Sequence, residues 1–280
     1  MTTPDDLEIP VRNLRFHDKG EPAPRWWLAN DPVATAFFNA LSCTFPAGEK
    51  FFIDSVRRFR DEVDAPLQEQ IAAFIAQESI HTREHVVFNK LAKDAGYDVE
   101  ALENRAKKAL EFARKRSARR QLAATCALEH FTAILAHQLL KNDGRDLDGA
   151  PEEAARLWCW HAMEEIEHKA VAFDTYMAVT RRLTPPHRYL MRVFAMIMAS
   201  LILFATVRGN MTDLYREDGF NGRGVWKRTR RYLFGRSGLL RRALPDYLRY
   251  FKPGFHPWDH DDRALLATAA ERFDLAAAAA

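Results

Sequence analysis

The chain is poor in the residues that build turn-rich or cross-linked folds. Twelve glycines and 13 prolines in 280 residues are too few for an all-β fold with its many tight turns. Three cysteines (Cys43, Cys126, Cys159) are too scattered for a disulfide framework or a thiolate zinc site. No Gly-x-Gly-x-x-Gly and no phosphate loop occurs, so the chain carries no flavin, nicotinamide or nucleotide fingerprint. No basic-then-apolar leader opens it, and a reducing cytoplasm is the expected compartment.

What is present has the balance of a soluble globular protein, with 48% hydrophobic and 28% charged residues. Residues 1–30 hold Pro4, Pro10, Pro22 and Pro24 without a clear period and read as an extended arm. From about 31 to 207 apolar residues recur at three and four, and Gly and Pro fall mostly between segments. The pattern predicts helices near 46–63, 66–93, 99–115, 117–141 and 151–181. One helical domain over 31–260, followed by a tail over 261–280 with a short helix and poly-alanine, is the expected organisation.

Two further stretches stand out. Residues 193–207 hold no charge, but 15 helical residues span only about 22 Å, short of a hydrocarbon core of roughly 30 Å. An apolar helix over 189–208, buried in the core, is the first reading; a helix at a membrane interface is the second. Residues 219–252 carry ten cations against Asp246 alone, leaving 31 cations against 37 anions elsewhere. Such basic C-terminal helices suggest a polyanionic partner, an anionic membrane surface through 193–252 before nucleic acid. The bland alternative is a solvated helical face. No nucleic-acid reader motif accompanies the stretch.

The sharpest signal is a polar set where helices should be apolar. Glu49 sits within the stripe Phe45, Phe52, Val56 and Phe59. Glu78, His81 and His85 share a face with Phe74; Glu129 shares one with Thr125, Thr132 and Ala136; His161, Glu165 and His168 share one with Ala172. Carboxylates on core faces must be paired or bound to metal, and here they outnumber the available cations. Two divalent cations resolve that conflict. The order Glu49, Glu78-x-x-His81, Glu129, Glu165-x-x-His168 is a lone Glu followed by Glu-x-x-His, twice, the arrangement of ferritin-like dinuclear bundles. The expected fold class is therefore all-α: a ferritin-like four-helix bundle with additional C-terminal helices. Oxygen and imidazole donors suit two iron ions, with manganese acceptable and zinc disfavoured. His161 is either a third imidazole ligand or a core histidine bonding a carboxylate. His85 and Asp174 are read as residues that orient ligands. Glu84, Glu164 and Glu167 fall off the metal face and are expected to face solvent, and His130 and His137 to be ordinary.

At these residues the chain resembles a bacterial family of predicted metal-dependent hydrolases. The resemblance rests on Phe45-Pro-Ala-Gly-Glu49-Lys-Phe-Phe52, Phe74-Ile-Ala-Gln-Glu78-Ser-Ile-His81, Ala127-Leu-Glu129-His-Phe-Thr-Ala133 and Trp160-His-Ala-Met-Glu-Glu165-Ile-Glu-His168. Ile9-Pro-Val-Arg-Asn-Leu-Arg-Phe16 and Gly254-Phe-His-Pro-Trp258 extend it over roughly 8–260. The ligand order is also similar to that of di-iron arylamine N-oxygenases, whose extra histidine ligand falls where His161 stands; their substrate does not carry over.

Three functions compete. In the first, two ferrous ions activate O₂ to oxidise a small or lipid-like organic substrate, with an external electron donor. The second is a dinuclear metal-dependent hydrolase whose cations acidify a bound water; a mononuclear variant uses His81-Thr-Arg-Glu84-His85 as an inverted zincin motif and leaves Glu49 and Glu129 unexplained. The third is a non-catalytic metal-binding or membrane-docking protein.

Overall fold

The computed structural model describes residues 3–4, 7–16 and 24–273, all helical or irregular, with no strand among them. The chain is all-α. Its elements are α1 (Pro32–Ser42), α2 (Phe45–Arg57), α3 (Ala65–Asp94), α4 (Val99–Arg114), α5 (Ala118–Lys141), α6 (Glu152–Glu167), α7 (Val171–Val179), α8 (Pro185–Glu217), α9 (Arg223–Phe234), α10 (Leu239–Arg249) and α11 (Arg263–Arg272). Local signals set several boundaries. Asp31 and Asp64 accept from the first-turn amides Val33 N and Leu67 N, ahead of a proline in the first turn of α1 and α3. α5 stops at Asn142-Asp143-Gly144, where Asp143 (φ 57°) and Gly144 (φ 70°) turn left-handed.

α2 packs on α3 and α5 on α6, and these four helices surround the polar interior. Two apolar clusters flank it. One gathers α1 with Trp27, Phe88, Leu139, Trp158 and Met163; the other gathers Phe51, Phe52, Phe74, Leu122, Tyr176 and Met196. The N-terminal segment 7–16 lies across α3 and α6, with Arg12 and Phe16 buried. The rest of the 1–30 arm includes 17–23, outside the described residues, as are residues 274–280 with the terminal alanines.

Three expectations are corrected. The helix expected over 46–63 ends at Arg57, with a short 3₁₀ turn over Arg60–Glu62. The single helix expected over 151–181 is broken at His168-Lys169-Ala170 into α6 and α7, with no Gly or Pro to announce it. The break turns Lys169 away to Asp262 Oδ2 (2.5 Å) and over the Trp258 ring, while His168 stays in the interior. The apolar stretch of α8 is not a core helix. Leu190, Phe194, Ile197, Leu201 and Phe204 are 44–64% exposed, although α8 is long and apolar enough to cross a membrane. Its other face buries Arg192, Met196 and Ala199, with Arg192 donating to the Tyr250 and Lys252 carbonyls.

Candidate metal centre

Each of the four central helices delivers its polar residues inward. Glu49 comes from α2, Glu78, His81 and His85 from α3, Glu129 from α5, and His161 and Glu165 from α6, with His168 at its C-terminal cap. All are 3% exposed or less. Glu78, Glu129, Glu165 and His168 present ligand atoms within 4.8 Å of one another, as do the sets Glu49, Glu78, His81 and His81, His161, Glu165 and Glu49, His85, His161. The structure thus brings together every residue read from sequence as a candidate ligand.

The hydrogen-bond pattern settles which atoms face inward. Gln77 donates its amide to Glu167 Oε2 and the Pro10 carbonyl, so its Oε1 accepts from His168 Nδ1 (2.9 Å). His168 Nε2 then carries a lone pair, 3.3 Å from Glu78 Oε1 and 3.5 Å from Glu129 Oε2. Glu164 Oε1 accepts from Trp160 Nε1 (2.9 Å) and Arg12, leaving Oε2 for His81 Nε2 (3.0 Å). His81 Nδ1 therefore aims its lone pair at Glu165 Oε1 (3.6 Å) and Glu78 Oε2 (3.9 Å). A third chain runs through Asn89, whose amide donates to Glu103. Asn89 Oδ1 accepts from Ser42 Oγ, Ser42 accepts from His85 Nδ1, and His85 Nε2 accepts from His161 Nδ1 (2.6 Å). That leaves His161 Nε2 as an acceptor 2.7 Å from Glu165 Oε1, so the two atoms could bind one cation side by side.

The interior is thus three imidazole lone pairs and four carboxylates. Both oxygens of Glu78 and Glu129, Oε1 of Glu49, Oε2 of Glu165, Nδ1 of His81 and Nε2 of His168 are buried without a hydrogen-bond partner. So many buried acceptors are costly in a folded core, and cations in the space among them would satisfy them together. The donor set fits two divalent cations, with carboxylate and imidazole suited to iron or manganese. Electrostatics agree. Burial and mutual repulsion push Glu49, Glu78 and Glu129 well above the usual carboxylate range. Burial would also raise Glu165, but the adjacent His161 and His168, when they carry the positive charge that a cation would otherwise supply, hold it well below. Burial, with His161 adding repulsion, lowers His81 and His85, which stay neutral and free to coordinate.

Several residues sit elsewhere than expected. Glu84, Glu164 and Glu167 do not face solvent; they are 2%, 0% and 5% exposed. Glu84 accepts from Phe16 N (2.8 Å) and Arg83 (2.6 Å). Glu164 and Glu167 support the two ligand-like histidines, and Arg12 ties them together, bonding Glu167 at 2.8 and 2.9 Å and Glu164 at 3.3 Å. A strict inward-face reading misses them because they support ligands from behind; the available signal is Trp160 four residues before Glu164. Burial pushes Glu164 up to about 7, against the pull of Arg12. Asp174 bonds His256 Nε2 (2.9 Å) and Thr3 Oγ1 (2.5 Å) and no histidine of the cluster. His85 orients His161, as described. His130 bonds the Asp246 carbonyl, and His137 bonds Asp262 Oδ1 (2.8 Å). The cysteines are buried, and burial pushes the Cys159 thiol up to about 12, so none is a ready nucleophile.

The centre opens on one side into a cavity of about 860 Å³ between α2, α4, α5 and α8, reached by Glu49, His161 and Glu165. The wall is otherwise nearly all apolar, including Phe45, Phe52, Leu128, Phe131 and Met198.

Fold and site together define an all-helical protein with a candidate multi-carboxylate metal centre beneath an apolar cavity. More narrowly, the chain belongs to the family described as predicted metal-dependent hydrolases, whose model matches residues 10–261. Comparisons with curated proteins and with solved structures return no significant match.

Proposed function

We propose that the protein is a dinuclear iron enzyme that oxidises an apolar organic substrate with O₂. The supporting observation is the pairing of an acceptor-only metal cluster with a large apolar cavity. Hydrolysis needs a polar scissile bond, a proton for the leaving group and donors at the developing oxyanion. Apart from candidate ligands, the polar cavity lining is Thr44, Thr132 and Thr206, with Arg116, Arg120 and His187 at its exposed edge. Oxidation of a hydrocarbon asks for no polar handle beside the metals. Bound iron supplies electrons for the reduction of O₂, restored by an external donor. Glu49, Glu78, Glu129 and Glu165 compensate the cations. Glu164, Gln77 and His85 fix the orientation of His81, His168 and His161. The wall excludes water, so polar contacts inside it are strengthened.

The family description favours a second reading, dinuclear hydrolysis, in which the same ligands hold cations that acidify water. Elemental analysis of protein purified without added metal, together with turnover under air and under argon, separates them. Two irons per chain and O₂-dependent turnover support oxidation. Zinc or manganese with turnover under argon supports hydrolysis, and protein that is folded and metal-free as purified, without exposure to a chelator, overturns both.

The exposed stripe of α8 and the cations of α9 and α10 suggest an anionic membrane surface as the working location. Arg223, Lys227, Arg230, Arg231, Arg236, Arg241 and Lys252 are exposed, and none has a carboxylate partner among the described residues.

A further inference from the structure

The shape and charge of the cavity specify more than an apolar guest. Its α5 wall runs from Arg120 to Leu139, about 28 Å at 1.5 Å per residue, and its α8 wall from His187 to Thr206 is as long. The two ends differ. At one, exposed Phe112, Arg116 and Arg120 of the α4–α5 turn join exposed His187 and Leu190 of α8. At the other, Phe37, Phe38, Leu41, Leu139 and Leu239 are buried and packed in one apolar cluster. The cavity is therefore a trough with one open, cationic end and one closed, apolar end.

The cationic end is unneutralised. Residues 114–120 read Arg-Lys-Arg-Ser-Ala-Arg-Arg, and no acidic residue lies between Asp174 and Asp213. Arg114 pairs with Asp54 (3.6 Å), whereas Arg116 stacks on Phe112 and, like Arg120, has no carboxylate partner among the described residues. Glu129 lies nine residues from Arg120 and ten from Leu139, so the candidate metal centre faces the middle of the trough, about 14 Å from either end.

From this we infer that the trough binds an anionic amphiphile, with its carboxylate or phosphate head at Arg116 and Arg120 and its hydrocarbon chain running past the metal centre to Phe37 and Phe38. The inference rests on the proposed metal centre only for what lies at mid-chain. It places the reacting position within the chain and away from the head, so a head-group ester would lie outside the reach of the metals.

The experiment is calorimetric titration of the metal-loaded protein with dodecanoate, dodecyl phosphate and dodecanol below their aggregation concentrations. Binding is read without turnover, so failure of the oxidase reading would leave this result intact. Both anions are expected to bind at least tenfold more tightly than the alcohol. The Arg116→Gln, Arg120→Gln double variant, whose side chains are exposed and whose fold should survive, is expected to abolish that preference while leaving dodecanol binding unchanged. Ala195→Phe, which fills the trough eight residues, about 12 Å, beyond His187 and within reach of a 12-carbon chain, is expected to weaken all three ligands; circular dichroism and metal content report whether it has folded, and Ala124→Leu offers a milder filling on the facing α5 wall. Equal binding of anions and alcohol overturns the inference. So does undiminished binding in the folded filling variants, or binding of anionic phospholipid vesicles with none of the monomeric anions. Preference for dodecanoate over dodecyl phosphate, or the reverse, identifies a carboxylate or a phosphoester head.

Discussion

His81 Nε2 meets Glu164 Oε2 at 3.0 Å, on the opposite side of the ring from Nδ1, which faces the carboxylates of Glu78 and Glu165. Glu164 thus decides which nitrogen of His81 carries its proton, and hence whether a lone pair is offered to a cation. In Glu164→Gln, an amide group must face either His81 or the donors Trp160 and Arg12, which accept nothing. Metal affinity measured by chelator competition should fall about 10- to 100-fold, the usual cost of losing such a partner. Glu84→Gln is the control. Glu84 is equally buried but bonds only Phe16 N and Arg83 among the described residues, so its loss should leave metal affinity unchanged.

Removing the metal should destabilise the fold, because the cations compensate buried carboxylates. A cation held at a hundred times its dissociation constant adds about 2.7 kcal/mol, so exhaustive chelation should lower Tm by several degrees. Loading should also release protons. Burial raises Glu49, Glu78 and Glu129 well above the usual carboxylate range, so they hold protons more tightly when no cation is bound, and a cation displaces those protons. Titration in two buffers of different ionisation enthalpy measures the number released. A result of zero would mean the carboxylates are not where the cation binds.

The third imidazole can be tested through its distant support. Ser42 fixes His85, and His85 fixes the lone pair of His161. Ser42→Ala removes the acceptor for His85 Nδ1 and allows the ring to reverse its proton. Its effect should be a weaker second metal equivalent with the first unchanged, read as a split in the chelator titration. A variant with two unchanged equivalents would remove His161 from the ligand set.

The ligand order was legible because a carboxylate on an apolar helical face is physically expensive, and Glu49, Glu78, Glu129 and Glu165 each violate their stripe in the same sense. The helical class was legible for the same reason, since the stripes exist. Three things were not. Glu164 and Glu167 lie on the flank of α6 and become interior only because segment 7–16 brings Arg12 over them, a contact across about 150 residues that no local pattern encodes. The break at His168 has no Gly or Pro, since Lys169 is drawn off by Asp262, 93 residues away. The exposed stripe of α8 has the composition of a core helix; an apolar run states that burial is favourable and not whether protein, lipid or a ligand provides it.

The C-terminal segment should detach in acid. Asp262 Oδ1 bonds His137 Nδ1 at 2.8 Å and its Oδ2 accepts from Lys169 at 2.5 Å, pinning the approach to α11 against α5 and the α6–α7 break. Burial would raise Asp262, but His137 and Lys169 outweigh it and hold it at about 2, below its unfolded value of 3.8. Its contribution is therefore fully present above pH 3.8, amounts to about 2 kcal/mol, and is lost as pH falls towards 2. Asp262→Asn should remove this pH-dependent part while leaving Lys169 buried without its anion, at a cost of about 3–5 kcal/mol. Urea unfolding at pH 7 and pH 3 measures both effects, and equal pH slopes in the two proteins would assign the acid sensitivity to other carboxylates.

Binding to lipid should require both the apolar stripe and the cations. In sedimentation with phosphatidylglycerol vesicles, the protein should pellet at low salt and progressively remain in solution as ionic strength rises and the field of Arg223, Lys227 and Arg230 is screened. Phe194→Glu with Leu201→Glu places two anions on the exposed stripe and should abolish pelleting without unfolding, since both side chains are about 60% exposed. Neutral phosphatidylcholine vesicles should bind far less. A second copy covering the same stripe would give a different result: a concentration-dependent dimer in sedimentation velocity, lost in the double variant, with no vesicle binding at any salt concentration.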